Sequence, residues 1–360
     1  MTENSTTAGT IIIPARDAIK VIRRLAVVGA GLAGLTVAHK LAAAGVEVTL
    51  FEKGRGPGGR MASTRLESTC LGAVDIGAQY FTVRNPAFRD FLVRQAGEDC
   101  WGLWHGRFQY QNTDGQWEMM RPAERYVGIP RMSAITRALA RGLSLRNGVQ
   151  IEGLWRSDNG CWALTDTEGG RYDGFDAVIL TAPPVQSTEL LRQGDARVLA
   201  EDHRLRASRM QACWTVMAHF PDGAGADFEA VMPNQSLLNW AANDSSKPGR
   251  QGSGEWWVLH GDPDWSDDHA CADPQQVAAQ LVQELRRVGE ITAVPAEVQV
   301  HRWLYARAKE STGTGHLWFP DSGIAIIGDW LDGGRVEGAF NSADGLASRL
   351  ISEGRVPRGG

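Results

Sequence analysis

Gly29-Ala30-Gly31-Leu32-Ala33-Gly34, followed 23 residues after Gly29 by Glu52, are the residues best suited by type and spacing to chemistry. A GxGxxG turn lets main chain approach a pyrophosphate closely, and a helix starting inside it adds free N–H groups and a positive dipole end. An acid ending the next strand is placed to accept from ribose hydroxyls. Such a turn gains meaning only from what flanks it. Here residues 25–28 read as a strand and 32–44 as an Ala- and Leu-rich helix capped by Gly45. Residues 46–51 then read as a second, alternating strand. The order is that of a βαβ unit, and the reading is a dinucleotide site.

The next residues narrow the dinucleotide. Arg55-Gly56-Pro57-Gly58-Gly59-Arg60-Met61-Ala62-Ser63 sets two arginines around a double glycine. A loop of that kind can fold back over the same pyrophosphate, with a guanidinium making a bidentate phosphate contact. It resembles the second signature of FAD-binding amine oxidases and the glutathione-reductase-like flavoproteins. Asp75-Ile76-Gly77-Ala78-Gln79-Tyr80-Phe81 follows, where that superfamily runs its backbone past the flavin ring. Near the C-terminus, Asp329 ends a strand and resembles the acid on the ribityl or pyrophosphate side of FAD. The helix start at Glu337, Gly338 and Ala339 would aim N–H groups at the flavin pyrimidine.

Taken with Gly128-Ile-Pro-Arg-Met-Ser-Ala134, Trp257-Val-Leu-His260, His301-Arg-Trp-Leu-Tyr-Ala306 and Gly328-Asp-Trp-(x3)-Gly-Arg-Val-Glu-Gly-Ala339, these motifs look like the renalase family, over about residues 25–350. The resemblance implies an α/β fold of p-hydroxybenzoate-hydroxylase-like architecture, a Rossmann-type FAD domain with an inserted sheet-containing substrate domain. The FAD domain is expected at 25–85, 130–200 and 318–352, the substrate domain at 86–129 and 201–317, and a flexible tail at 1–24. The cofactor implied is non-covalent FAD, with Lys53, Met61, Ala62, Gly77, Ala78 and Val149 adding to the contacts already named. The implied activity oxidises 2- or 6-dihydronicotinamide dinucleotides to NAD(P)⁺, with O₂ leaving as hydrogen peroxide. A dihydropyridine that gives up a hydride simply aromatises, so positioning groups matter more than a base. His260 and Trp303 match family positions above the flavin, with Gln79 and Tyr80 on its flavin-side motif. We expect Trp303 and Tyr80 to bound a flat pocket and His260 to hydrogen-bond the carboxamide, with His301 structural.

Composition sets the outer limits. With 37 Lys and Arg against 42 Asp and Glu, the net charge of -5 offers no basic footprint for nucleic acid. Five scattered cysteines without a CxxC pair argue against disulfides and zinc, and Asp262, Asp264, Asp267 and Asp268 lack the rest of a calcium loop, so they read as a solvated acidic loop and no metal is expected. No stretch approaches the roughly 20 apolar residues of a membrane span, so a soluble, cytoplasmic chain is expected. Further along, Ser133 is placed to cap a helix over 134–141. Residues 149–155, 176–181, 213–220, 255–260 and 324–328 read as strands, 274–288 as a helix and 245–254 as a polar loop. A flavin amine oxidase commonly places a lysine near the flavin through a water. Of the five lysines only Lys247 and Lys309 lie outside the tail and the βαβ unit, neither in a family-like context. That alternative and a non-catalytic FAD-binding protein remain beside the leading reading, and an aromatic hydroxylase lacks its further Asp-Gly signature.

Overall fold

The computed structural model describes residues 20–65 and 72–357; the expected tail up to residue 19 and Cys70 lie outside the described residues. The βαβ unit is present as β1 (Arg24–Val28), α1 (Leu32–Ala43) and β2 (Glu47–Glu52), with β1 and β2 parallel. A six-stranded sheet grows around β1, in the order His316–Phe319, Ile324–Ile327, Ala177–Leu180, β1, β2, Ser144–Asn147. All neighbours are parallel except the first pair, which is antiparallel. Ala177–Leu180 and Ile324–Ile327 are buried at every residue, the signature of strands covered on both faces. An antiparallel meander, Ile151–Arg156, Trp162–Asp166 and Arg171–Phe175, packs against this sheet through Trp162, Leu164 and Phe175.

A second, seven-stranded sheet takes its strands from Phe108–Gln111, Trp117–Met119 and the stretch from 210 to 308. Its main strands are β3 (Met210–Phe220), β4 (Leu238–Asn243) and β5 (Glu255–Gly261). Helix α2 (Pro274–Val288) follows, with the bounds its sequence pattern predicts, and then β6 (Glu297–Ala308). Strand periodicity divides the two faces. Trp214, Val216, Trp257 and Leu259 pack with Val277, Leu281 and Leu285 of α2. The opposite face packs on Val74 and Ile76 through Met217, Trp256 and Val258. The closing helix, α3 (Val336–Ser352), returns to pack on α1 in a shared core of Leu35, Ala38, Leu41, Phe340, Ala343 and Leu346.

Of three local expectations, one fails and two hold in part. Ser133 does not cap its helix: Met132 is the cap residue, the helix runs Ser133–Leu139, and the Ser133 hydroxyl is buried without a partner. Asp262 to Asp268 are solvated, with Asp264, Asp267 and Asp268 exposed, but on a short helix and not in a loop. Asp262 caps a short helix, Pro263–Asp268, by accepting from Trp265 N, while Asp264 and Asp267 accept from Gln211 and Ala212 of β3. The polar stretch 245–254 opens with a 3₁₀ turn, Asp244–Ser246, and holds two buried cations, Lys247 at 2% and Arg250 in ion pairs with Asp75 and Asp244. Asp264, Asp267, Lys247 and Arg250 took tertiary partners that local pattern cannot show.

Candidate functional site

At the C-terminal end of β1, Gly29 has φ +108°, and a Cβ there would collide with Thr181 Oγ1. Gly34 sits where a Cβ would collide with Gly29 O, which is why the first turn of α1 can pack so closely. The second glycine loop comes to meet the first: Gly58 N donates to Ala30 O at 3.1 Å, and Gly59, at φ +54°, faces Gly31 across bare backbone. Gly31 caps α1 with no side chain, and α3 likewise has no side-chain cap, so the first N–H groups of both helices are left for a ligand. Glu52 accepts from Ala30 N at 2.9 Å and Gly54 N at 2.7 Å, one bond to each oxygen. Each oxygen retains acceptor capacity for a ribose hydroxyl. Val149 is brought to the same sheet end, its N–H on Glu52 O at 2.9 Å, whereas the Lys53 side chain is exposed.

The two distant cofactor motifs meet in an ion pair. Arg60 grips Asp329 with both Nη atoms, Nη1 to Oδ2 at 2.9 Å, and reaches Ala306 O at 3.4 Å. The guanidinium that the sequence reading sets on a phosphate is thus engaged by the second motif's own acid. Ala78 N donates to Arg60 O at 2.8 Å, and Gly77 lies so close to that carbonyl that a side chain has no room. Glu337 turns its carboxylate to Arg84 N and Asn85 N, at 2.6 and 2.7 Å, leaving Gly338 to present backbone at the helix start, whereas the expected Ala339 N–H is taken by Arg335 O at 3.3 Å, closing the first turn of the helix.

Opposite lies a row of side chains on adjacent strands. Trp240 pairs with His260, His260 with Thr215, Thr215 with His301, and Cys213 with Trp303. Residues directly opposite in antiparallel strands project to the same face, so all six share one. That face is joined to the flavin-side motif through the Ile76 carbonyl, which accepts from Thr215 Oγ1 at 3.3 Å and Trp303 Nε1 at 3.0 Å. Tyr80 packs on Trp240 with ring centroids 5.5 Å apart, and His301 meets Trp303 edge-on at 4.6 Å. Burial pushes His260 down to about 4, against a hydrogen bond to Ile76 and with a smaller contribution from the Lys247 charge. Its ring is therefore neutral at pH 7. Its Nε2 is buried without a partner. Burial also lowers His301 and raises the Cys213 thiol to about 12, which keeps that thiol protonated.

Sequence reasoning missed Lys247. Its ammonium lies against Asp75 Oδ2, Gln79 Oε1 and Asp244 Oδ1, beneath the motif expected beside the flavin. No local signal marked it: Asp244, Lys247 and Arg250 recur at intervals of three behind a strand, but that spacing does not tell a buried cluster from a solvated loop. Among the described residues no group of His, Cys, Asp or Glu could hold a metal ion, and no helix is long and apolar enough to cross a membrane.

The glycine loops, open helix starts and terminal acid fit a dinucleotide, and together with the second sheet they define a flavin-dependent oxidoreductase using FAD. Residues 94–351 match the family of flavin containing amine oxidoreductases, and the chain belongs to that family. Residues 27–94 match an NAD(P)-binding Rossmann-like domain. Among solved structures, a chain from Exiguobacterium sp. 255-15, provisionally described as a protoporphyrinogen oxidase, is similar with a TM-score of 0.74 at 15% identity, covering 93% of this chain and 100% of that one. Cyclohexylamine oxidase from Brevibacterium oxydans IH-35A is similar at 0.69 and 12% identity, over 92% and 99% of the two chains. Putrescine oxidase gives 0.69 at 11% identity over the same shares. A hydroxyneurosporene desaturase from Rubrivivax gelatinosus is 48% identical over 61 residues, 17% of this chain and 11% of the relative. A second, from Cereibacter sphaeroides, is 45% identical over 65 residues, 18% and 12%. The matched stretch thus spans about a tenth of these curated relatives.

Proposed function

We propose that this chain oxidises dihydronicotinamide dinucleotides reduced at ring position 2 or 6, returning NAD(P)⁺ and passing the electrons to O₂. The substrate ring loses a hydride and becomes aromatic; O₂ takes that hydride and one proton as hydrogen peroxide. FAD, when bound, supplies the two-electron acceptor. Gly29 to Gly34, Glu52, Gly59 to Ala62, Gly77 to Gln79, Val149, Asp329 and the start of α3 are the groups we assign to holding it.

The observation that carries the reading is His260: a neutral ring whose Nε2 has no partner, set between Trp240 and Thr215 on an aromatic face. A primary carboxamide on a flat ring carries both a donor and an acceptor and satisfies that nitrogen in either tautomer. An alkylammonium calls for a carboxylate, and Asp75 and Asp244 are both spent on Lys247 and Arg250. Trp303, fixed by Ile76, and Tyr80, fixed by Trp240, then bound the ring's faces. Their work is positional, because a hydride moves only when donor and acceptor are held about 3–3.5 Å apart.

The family and the putrescine and cyclohexylamine oxidases among its structural relatives favour a second reading, amine oxidation. One experiment separates the two. The enzyme is mixed anaerobically with borohydride-reduced NAD⁺, which contains the 2- and 6-dihydro isomers, and separately with 4-dihydro NADH, putrescine and cyclohexylamine. Flavin bleaching by the isomers alone is expected; bleaching by an amine or by NADH, with no response to the isomers, sinks the proposal.

A further inference from the structure

Lys247 holds a place that hydride transfer leaves unused. An ammonium has three hydrogens, and here each has an acceptor: Asp75 Oδ2 at 3.2 Å, Gln79 Oε1 at 3.1 Å and Asp244 Oδ1 at 2.6 Å. Arg250 completes the figure, with Nε on Asp244 Oδ2 at 3.1 Å and Nη2 on Asp75 Oδ2. Two carboxylates and two cations therefore alternate around a closed ring, and no member's side chain is more than 5% exposed. Asp75 comes from the hairpin Ser63–Arg65 and Ala73–Asp75; its other oxygen accepts from Ser63 Oγ and Met132 N, both at 2.8 Å. The other three members follow β4. The ring thus joins the flavin-side motif to the second sheet.

A buried ring of charges is a poor source of stability, because desolvating it costs about as much as the attractions return, and apolar side chains of equal volume would serve. What it supplies is direction. Gln79 shows the result: Oε1 faces Lys247, while Nε2 donates to Asp75 O at 2.6 Å and Gly77 O at 3.1 Å. Its amide has one orientation, and it ties down the backbone of residues 75–79.

We propose that Lys247 is a positioning residue for the cofactor: it saturates Asp75, Asp244 and Gln79, and so holds Gln79 and the 75–80 backbone in the single conformation that seats FAD, without itself meeting the flavin. With every hydrogen committed, it has none for a water beside the ring. This role depends on FAD alone, not on which molecule reduces it.

The test compares the FAD-loaded enzyme with Lys247→Met, Lys247→Met/Asp244→Asn and Gln79→Met, by flavin absorption spectrum and rate of FAD release. All three variants are expected to shift the flavin bands and to release FAD at least about tenfold faster, with unchanged far-ultraviolet circular dichroism. The double variant keeps one carboxylate and one cation, Asp75 and Arg250, so its cluster is neutral. Recovery of the unsubstituted spectrum and release rate there shows that charge balance alone matters and overturns the proposal. An unsubstituted spectrum in Gln79→Met overturns it as well. If Lys247→Met does not accumulate folded, the other two variants decide the question. No substrate enters these readouts, so a failed substrate assignment leaves them intact.

Discussion

A histidine buried neutral makes stability depend on pH in a definite direction. The unfolded chain protonates His260 near 6.5 and the folded chain only near about 4, so between those values the unfolded state binds more protons and stability falls as pH falls. The loss reaches up to about 3 kcal/mol and stops below the folded value. Urea midpoints across that window should fall less steeply in His260→Gln; an unchanged slope refutes the burial. Asp75 acts at lower pH. Burial works to raise it, but Lys247 and Arg250 outweigh that and hold it below the ordinary carboxylate range, so its contribution is lost only as pH falls through that lowered value. Arg60→Ala, which strands the Asp329 carboxylate, should cost about 1.5–3 kcal/mol of cofactor affinity. The flavin-to-protein absorbance ratio after purification checks this, and a fully loaded variant contradicts it. Arg60 and Asp329 could be singled out because each sits in a motif with fixed spacing, and the structure brings them together, although on each other and not, as expected of Arg60, on a phosphate. Lys247 could not: a lysine among glycine, serine and proline looks the same in sequence whether water or carboxylates surround it, and only the folded neighbours decide.

Elements with one dominant period were readable, and those needing a distant partner were not. The fully apolar runs at Ala177–Leu180 and Ile324–Ile327 and the 3.6-period helix Pro274–Val288 declare themselves. The meander was read only in part: its first strand was found two residues early, and the turns at Asp158-Asn159-Gly160 and Glu168-Gly169-Gly170, which are hairpin signals, were passed over. Phe108–Gln111 and Trp117–Met119 carried no visible clue to the sheet they join, because Phe108–Gln111 enters it by a parallel pairing with Ala230–Met232, more than a hundred residues away. The start of α3 makes a prediction at this scale. A Cβ at Gly338 would meet Asp332 O, so Gly338→Ala has to move the loop that carries Asp329. It should lose about 1–3 kcal/mol of stability and part of its FAD, measured by thermal melting and flavin content; full loading and an unchanged melting point count against the close approach described.

The two sheets are tied across the cofactor site by Arg60, which holds Asp329 behind the first sheet and reaches Ala306 O of β6, and by the Asp75–Lys247–Asp244–Arg250 ring and the bonds to Ile76, which join the flavin-side hairpin to the second. Calorimetry should therefore show one unfolding transition for the FAD-loaded protein, and stripping FAD should lower it. At a hundred times the dissociation constant, added FAD returns about 2.7 kcal/mol. Two separate transitions in the loaded protein would falsify the coupling.

The carbonyl of Ile76 receives Thr215 from β3 and Trp303 from β6. A single oxygen thus serves as a common hinge pin for two strands, with both of its lone pairs engaged. Tightening one donor loosens the other, so a substitution at either position will retune its neighbour, and attempts to alter substrate preference there have to be made in combination.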